Sequence, residues 1–276
     1  MPLLRNLIAG VNHRLKKILS RPYSVFDIGW LKEKTLKHQT DTGLKHHVYK
    51  RKYKIAYRDG PTFLMSIKEL FIDEFYKFRP DSDHPRIIDC GSYIGTSILF
   101  FKVNYPHAII TGFEPDASNY SLLKSNVDNW GFSGIEIFNA AIWVNNENVS
   151  FHSAGNMSSR IEAGANERDD QKMVRCVRLN DLLHEQVDFL KIDIEGAELP
   201  VLRDCSDNLK NVKNLFVEYH GKYSELSDLN EILEILYRSD FKYCIKEGNA
   251  VHARPLWEGD SGVQYDMLLN IFAFRG

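Results

Sequence analysis

From residue 86 onward the chain alternates short apolar runs with amphipathic runs. Segments 86–90, 108–113 and 135–143 have the length of buried strands, and the segments between them, 94–103 and 117–129, repeat apolar residues at helical spacing. The alternation continues with predicted strands at 149–152, 173–179, 187–192, 212–218, 241–245 and 267–274 and predicted helices at 198–205 and 229–239. Strands that alternate with helices form a mostly parallel sheet covered on both faces. The pattern therefore predicts a doubly wound α/β fold.

The first 80 residues follow a different pattern. Apolar residues recur every three or four positions over residues 3–19, with basic residues mostly off that stripe, which indicates a basic amphipathic helix. A polar segment with one short helix follows at 20–46, then a strand or hairpin at 47–57 and a helix at 63–78. We therefore predict a basic helical/β appendage with a leader and linker at 1–46, and one domain at 47–276 made of an N-terminal cover (47–80) and an α/β core (81–276).

Composition describes a globular chain and excludes two classes of protein. The 276 residues are 43% hydrophobic, and their longest apolar runs fall far short of the roughly 18 residues that a membrane span needs. Cys90, Cys176, Cys205 and Cys244 are widely separated and form no C-x-x-C pair, so neither a zinc ribbon nor a disulfide framework is expected. Free thiols indicate a reducing compartment, and we expect the protein in the cytoplasm.

The net charge of -2 is the sum of two opposite parts. Residues 1–60 carry 14 Lys/Arg and 4 Asp/Glu, a net of +10, which leaves 21 Lys/Arg and 33 Asp/Glu, a net of -12, for residues 61–276. A basic leader on an acidic body favours peripheral attachment to an anionic surface, such as the inner face of a membrane, through residues 1–19. The alternative is that the leader packs on its own body or on a second subunit of a homo-oligomer.

The residues that follow the first two strands of the core carry candidate chemistry. Ligands of doubly wound sheets bind at the carboxyl ends of the strands, and here the first strand leads into a G-x-x-x-G turn, Gly91 to Gly95. The turn lacks the middle glycine that lets the backbone approach a pyrophosphate, which disfavours NAD and FAD. Glu114 ends the second strand, where a carboxylate can accept both hydroxyls of a ribose. A ligand with an adenosine and a carboxylate but no pyrophosphate is S-adenosylmethionine, and Asp89 would lie near its cationic end.

Five segments together resemble a known family. They are Asp89 to Gly95, Phe113-Glu114-Pro115, Asn139 to Ile142, Lys191 to Glu198 and Val217 to His220, of which Lys-Ile-Asp-Ile-Glu-Gly-Ala-Glu is the most specific. Over roughly residues 50–276 the chain resembles the FkbM-type methyltransferases, S-adenosylmethionine-dependent enzymes of the class I Rossmann-like fold. Cys90, Ser92 and Tyr93 depart from the family's D-I-G-A-N-x-G loop. The resemblance implies methyl transfer to a hydroxyl of a sugar, a glycan or a related natural product.

The strand ends and the resemblance give three sets of candidate site residues. The predicted cofactor-binding residues are Asp89, Gly91, Ser92, Tyr93, Gly95, Glu114, Pro115, Asn139, Ala140 and Asp193. The predicted catalytic residues are Asp193, Glu195, Glu218 and His220, and the predicted acceptor-binding residues are Ser159, Arg160 and Glu195. Glu198 is a further acidic candidate, and its alternative role is to start a helix, where the helix dipole favours an acid.

The expected reaction needs alignment of the reactants and a base. The protein mainly aligns the nucleophile with the methyl group, and an unactivated hydroxyl must also lose its proton. His220 is the predicted base because its ordinary pKa of about 6.5 lies near neutral pH, and Glu218 or Asp193 is expected to orient it. Alternatively, a divalent metal ion acidifies the hydroxyl, and its ligands are Asp193, Glu218 and His220.

Rival functions have less support in the sequence. A nucleic-acid base methyltransferase typically carries a D/N-P-P-F/Y turn, but no two prolines are adjacent here, and a body with a net charge of -12 repels a phosphate backbone. We therefore expect no nucleic-acid partner. A non-catalytic adaptor for a glycan or lipid assembly is opposed by the joint presence of Asp89, Gly91, Gly95, Glu114, Asp193 and Glu195.

The leader generates a prediction about membrane binding. If residues 1–19 bind an anionic surface, the full chain floats with vesicles that contain phosphatidylserine, and a chain that lacks residues 1–46 does not. Flotation should weaken at high salt because salt screens the attraction between charges. Equal behaviour of the two chains would assign the leader to packing on the body or on a second subunit.

Overall fold

The computed structural model describes residues 23–152, 160–161, 171–248, 251–252 and 265–275; of residues 150–152, 160–161 and 171–172 it describes the backbone alone. The chain divides after Phe75 into two compact units, 1–75 and 76–276. This division lies between the two predicted boundaries, at 46/47 and 80/81. The predicted leader helix, 3–19, lies outside the described residues.

The described part of the first unit contains a β-hairpin and short helices. Helix α1 (Trp30–Lys37) precedes strands β1 (Lys45–Tyr49) and β2 (Tyr53–Tyr57), which pair antiparallel, and helix α2 (Gly60–Ile67) continues into a π-helical turn (Lys68–Ile72). The hairpin was predicted at 47–57. The helix predicted at 63–78 begins three residues earlier, because the Asp59 side chain accepts from the Thr62 amide and caps it, with proline in its first turn.

Aromatic packing explains why the hairpin belongs to the first unit. The rings of Phe26 and Tyr49 stack with 4.3 Å between their centroids, and Tyr57 stacks on Phe63 at the same distance. His47 is buried beside Phe26 and Phe63, and this burial lowers its pKa. The two strands of the predicted cover thus pack against Phe26, which precedes them in the chain, and against Phe63, which follows them.

The second unit has twelve described strands and four α-helices. The strands are β3 (Arg86–Cys90), β4 (Ile109–Phe113), β5 (Ile135–Phe138), β6 (Ala141–Trp143), β7 (Val149–His152), β8 (Arg160–Ile161), β9 (Gln171–Val174), β10 (Cys176–Arg178), β11 (Val187–Ile192), β12 (Val212–Gly221), β13 (Lys242–Glu247) and β14 (Met267–Phe274). The helices are α3 (Thr96–Asn104), α4 (Ala117–Trp130), α5 (Glu198–Cys205) and α6 (Leu226–Arg238). The segment predicted as one strand at 173–179 is divided between β9 and β10.

Seven strands form the main sheet, in the order β13-β14-β12-β11-β3-β4-β5. The five strands from β12 to β5 run parallel, and β14 pairs antiparallel with both β12 and β13. This topology confirms the predicted Rossmann-like α/β fold with a mostly parallel sheet. Strands β6 and β10 form a separate parallel pair, and β7, β8 and β9 a small antiparallel sheet.

Burial of the central strands places the candidate residues at one edge of the sheet. All six residues of β11 and the last four of β3 are buried, as expected for a parallel sheet covered on both faces. Asp89 pairs in register with Lys191, and Cys90 pairs with both Ile192 and Phe113. The turns that follow β3, β4 and β11 therefore meet. Among the described helices, none is long and apolar enough to cross a membrane.

Candidate active site

The turn after β3 adopts a left-handed conformation at alternate positions. Gly91, Tyr93 and Gly95 have φ angles of 90°, 48° and 88°. A Cβ atom on Gly91 would lie 2.0 Å from the carbonyl oxygen of Asp193, and one on Gly95 would lie 2.8 Å from Leu123 Cδ1. Only glycine fits these two positions without movement of a neighbour. The turn after β3 therefore packs directly against the turn after β11.

Glu114, at the end of β4, holds the same turn in place. Its Oε2 accepts a hydrogen bond from the Tyr93 amide at 2.9 Å, and its Oε1 accepts one from the Asp116 amide at 3.0 Å. Burial raises the pKa of Glu114 to about 7, although both amide bonds act in the opposite direction. Glu114 thus shapes the turn in addition to any contact with a cofactor.

A buried lysine that is absent from the predicted site residues lies between the two turns. Lys191 Nζ donates to the carbonyl oxygen of Gly91 at 2.6 Å and lies 2.9 Å from Asp193 Oδ2 and 3.5 Å from Asp89 Oδ1. Burial by itself would lower the pKa of Lys191, but the charges of Asp193 and Asp89 outweigh it and raise the pKa. The signal in the sequence was a lysine inside the mostly apolar strand β11.

The two aspartates beside Lys191 have other partners as well. Asp89 is fully buried, and its Oδ2 accepts from the Ser97 hydroxyl at 2.6 Å. Burial would raise the pKa of Asp193, but the charges of Lys191 and His220 and a hydrogen bond with Glu218 hold it below its usual value. Asp193 is therefore a carboxylate, held in that form chiefly by the neighbouring charge of Lys191.

His220, near the end of β12, lies among three glutamates. Its Nδ1 is 3.1 Å from Glu198 Oε1, and its Nε2 is 3.5 Å from Glu195 Oε2 and 4.0 Å from Glu218 Oε2. Burial acts against the charged form, but the hydrogen bond to Glu198 and the charges of the glutamates raise the pKa of His220 to about 10. At neutral pH the free protein therefore holds His220 as an imidazolium.

The turn after β11 supports two of these glutamates. Glu195 and Gly196 have φ angles of 58° and 97°, and Tyr265 donates its hydroxyl to the Glu195 carbonyl at 2.8 Å. Burial raises the pKa of the Glu195 carboxyl to about 8. Glu198 is buried at the start of α5 and accepts from the amides of Ile194 at 3.2 Å and Gly196 at 3.1 Å. Glu198 thus begins a helix, which was its alternative predicted role, and it also contacts His220.

The predicted catalytic residues come together, but their arrangement differs from the expected one. All four lie around the same turn: Asp193, Glu195, Glu218 and His220. The hydrogen bond that orients the His220 ring, however, is made with Glu198 and not with Glu218 or Asp193. Glu218 lies farther from the ring, and Asp193 is paired with Lys191.

The remaining predicted residues have simpler positions. Asn139 is exposed and donates to the carbonyl oxygens of Glu114, at 2.9 Å, and Pro115, at 3.0 Å, while Ala140 is buried. The Ser92 hydroxyl donates to the carbonyl oxygen of Asp89. Ser159 lies outside the described residues, and of Arg160 only the backbone is described.

A cation site is also compatible with part of this cluster. One ligand atom each from Asp193, Glu195 and His220 lies within 4.8 Å of the others. This set has Glu195 where the predicted set has Glu218. Lys191 already supplies one positive charge to Asp193.

The lysine between the turns gives a prediction about stability. Lys191→Met leaves two buried aspartates without their cation, and removal of one partner of a buried ion pair costs about 3–5 kcal/mol. We expect the free energy of unfolding, measured by urea denaturation monitored by circular dichroism, to fall by this order.

Lys102 provides a matched control for that measurement. It is equally buried, but its ammonium group donates to the carbonyl oxygens of Pro106 and Ala108 and to no described carboxylate. Lys102→Met should therefore cost clearly less than Lys191→Met. If both variants lost the same free energy of unfolding, the ion pairs of Lys191 with the two aspartates would add no stability beyond that of a buried lysine bonded only to carbonyl oxygens.

Comparisons of the sequence with known proteins identify relatives that are named methyltransferases. Two curated fungal relatives are Methyltransferase 1 of Beauveria bassiana, 28% identical over 60% of this chain and 77% of the relative, and Methyltransferase sdnD of Sordaria araneosa, 29% identical over 55% and 72%. The 2-O-methyltransferase NoeI of Sinorhizobium fredii is 24% identical over 57% and 72%.

Solved structures and a family model complete the comparison. A crystal structure of methyltransferase FkbM from Methylobacillus flagellatus superposes with a TM-score of 0.49 at 19% identity and covers 75% of this chain and 47% of that one. The model of the methyltransferase FkbM domain matches residues 89–243. This match spans more than half of the chain and includes both turns and His220. The protein therefore belongs to the FkbM family of S-adenosylmethionine-dependent methyltransferases.

Proposed function

We propose that the protein methylates a hydroxyl group of a sugar, a glycan or a related natural product. The observation that carries this proposal is the position of the His220 side chain, which is 5% exposed and lies among Glu195, Glu198 and Glu218 at the turn after β11. Carboxyl groups accept hydrogen bonds from hydroxyls, and an imidazole can remove a proton from one. The name of NoeI as a 2-O-methyltransferase supports the same class of reaction.

The residues at the strand ends fit the methyl donor of the family. S-adenosylmethionine, when bound, supplies a methyl group that its sulfonium has already activated. Glu114 lies at the end of β4, where a carboxyl can meet the ribose, and the turn from Gly91 to Gly95 leads into helix α3, whose first amides favour a carboxylate. The aspartates and glutamates that surround the turn suit a positively charged ligand.

We assign the role of base to His220 and the role of positioning residue to Glu198. Glu198 accepts a hydrogen bond from Nδ1, so Nε2, which lies 3.5 Å from Glu195 Oε2, is the ring nitrogen that would take the proton of an acceptor hydroxyl. The base must be neutral, and its raised pKa means that the neutral form grows only as the pH rises. Glu195, which also ionises above neutral pH, can accept a second hydrogen bond from a polyhydroxyl acceptor.

A divalent metal at Asp193, Glu195 and His220 is the alternative way to activate the hydroxyl. The two routes differ in their response to a chelator. Transfer by a base persists after treatment with EDTA, whereas transfer through a bound metal ion stops and returns when the ion is added back.

Donor binding and methyl transfer form the direct test of this function. Calorimetric titration should detect binding of S-adenosylmethionine, and Glu114→Ala should weaken it by about tenfold, the loss expected when one charged hydrogen-bond partner is removed. The exposed Glu136 on β5 provides the control, since Glu136→Ala should leave the dissociation constant unchanged. Mass spectrometry of sugar and polyol acceptors should then reveal a gain of one CH₂ unit.

The results separate the rival functions. If the folded protein bound no S-adenosylmethionine, it would be an adaptor without cofactor rather than an enzyme. Binding together with methylation of only protein or nucleic-acid acceptors would retain the enzyme and exclude the hydroxyl acceptor proposed above.

The pH dependence of the reaction tests the base. In the wild type, kcat/KM should rise with pH above neutrality, because His220 with a pKa near 10 must lose a proton. Glu198→Gln removes the carboxyl whose hydrogen bond and charge raise that pKa, so the rising limb should move to lower pH by about one unit. A purely structural role of Glu198 would lower kcat without moving the limb.

Two further variants complete this experiment. Glu231→Gln breaks an exposed ion pair with Arg203, outside the site, and should leave the limb in place. Glu195→Gln should retain the limb if His220 is the base. If the limb disappears in Glu195→Gln and stays unmoved in Glu198→Gln, the base is Glu195.

A further inference from the structure

Strand β13 forms one edge of the main sheet and lies open to solvent. All six of its residues are exposed, and within the part of the chain that the structure describes it pairs with β14 alone. The opposite edge, β5, has only four residues, which alternate between half-buried and exposed. An exposed edge of six residues without proline or glycine is a template on which a further strand can pair.

Large apolar side chains accompany this edge. Tyr243 and Ile245 on β13 are each 40% exposed, Phe274 on the adjacent β14 is 43% exposed, and Tyr237 near the end of α6 is 71% exposed. Tyr243 and Ile245 lie on the same face of the strand because they are two residues apart. Apolar side chains beside unpaired backbone groups indicate a protein contact.

The backbone hydrogen bonds determine which residues of β13 face outward. The Gly248 amide donates to the carbonyl oxygen of Leu268, so these residues form a hydrogen-bonded pair in the antiparallel ladder of β13 and β14. Hydrogen-bonded and non-hydrogen-bonded pairs alternate along such a ladder. Even-numbered residues therefore bond inward, and the amides and carbonyls of Tyr243, Ile245 and Glu247 point away from the sheet.

We propose that β13 pairs with β13 of a second copy of this chain, antiparallel and across a two-fold axis at Ile245. A symmetric antiparallel pair places one residue opposite its own copy. The two registers that pair most of the strand are centred on Cys244 and on Ile245. The first puts Lys242 opposite Lys246 of the second copy, and like charges in directly opposite positions destabilise a sheet.

The register centred on Ile245 has no such conflict. It places the two Ile245 side chains opposite each other, Tyr243 opposite Glu247, and Lys242 opposite Gly248, which has no side chain. The tyrosine hydroxyl can donate to the glutamate carboxyl in both halves of the pair. The outward-facing amides and carbonyls of Tyr243, Ile245 and Glu247 become the hydrogen-bonded pairs of the new ladder. Strand β13 is thus complementary to itself in this register.

Sedimentation velocity of the full chain tests the interface. We expect a dimer for the wild type and a monomer for Ile245→Lys, which brings two ammonium groups together at the axis. Ile109→Lys is the matched control, since Ile109 is a 52% exposed isoleucine of the same sheet, on β4, and its substitution should leave the dimer intact. Circular dichroism and the melting temperature verify that each variant is folded. A monomeric wild type at every concentration would overturn the proposal.

Disulfide formation tests the register. Paired residues at the axis have Cα atoms about 5.5 Å apart, within the range that a disulfide spans. A chain with Cys244→Ser and Ile245→Cys should therefore form a covalent dimer on mild oxidation. With Cys244→Ser and Tyr243→Cys, the two cysteines would lie four residues apart along the strand, about 13 Å, and should stay reduced.

The other results of these experiments contradict the proposal. A dimer that survives Ile245→Lys and forms no disulfide through position 245 uses another surface. A covalent dimer through the native Cys244 of the wild type would indicate the register centred on Cys244. Neither result depends on methyl transfer, so the interface and the proposed function are tested separately.

Discussion

The arrangement of the site depends on one buried ammonium group. Lys191 meets Asp89, Asp193 and the carbonyl oxygen of Gly91, which belong to the turns after two neighbouring strands. Burying an isolated charge is very costly, and it becomes tolerable only when the charge is paired and its hydrogen bonds are satisfied. In a body with a net charge of -12, this cation allows two aspartates to lie beneath the turns without repelling each other.

From that lysine, a continuous series of charged and hydrogen-bonded side chains crosses the strand ends. Lys191 contacts Asp193, Asp193 is hydrogen-bonded with Glu218, and His220 lies between Glu218 and Glu198. Because the charges of Lys191 and His220 lower the pKa of Asp193, the protonation of Asp193 depends on that of its neighbours. Within this series, Glu195 and His220, whose pKa values are raised to about 8 and about 10, lie 3.5 Å apart.

Periodicity predicted the fold well because each strand and helix of the core carries its own local signal. The parallel order of β3, β4 and β5 follows from that alternation. The contact of Glu198 with His220 had no such signal, since it joins residues 22 positions apart whose distance only tertiary packing sets. The role of Lys191 was not predicted, because the sequence around a charged residue in an apolar strand does not show which residues that side chain contacts. The boundary after Phe75 likewise reflects aromatic contacts rather than composition.

The close approach of Gly91 to the Asp193 carbonyl gives this glycine a structural role that does not involve a ligand. Strands β3 and β11 are adjacent in the sheet, and the missing side chain of Gly91 is what lets their two turns touch. Any chain that keeps this strand order and this contact needs glycine there, whether or not it binds a nucleoside. The presence of Gly91 therefore reports on the backbone of the two turns, and by itself it does not distinguish an active site from an inactive one.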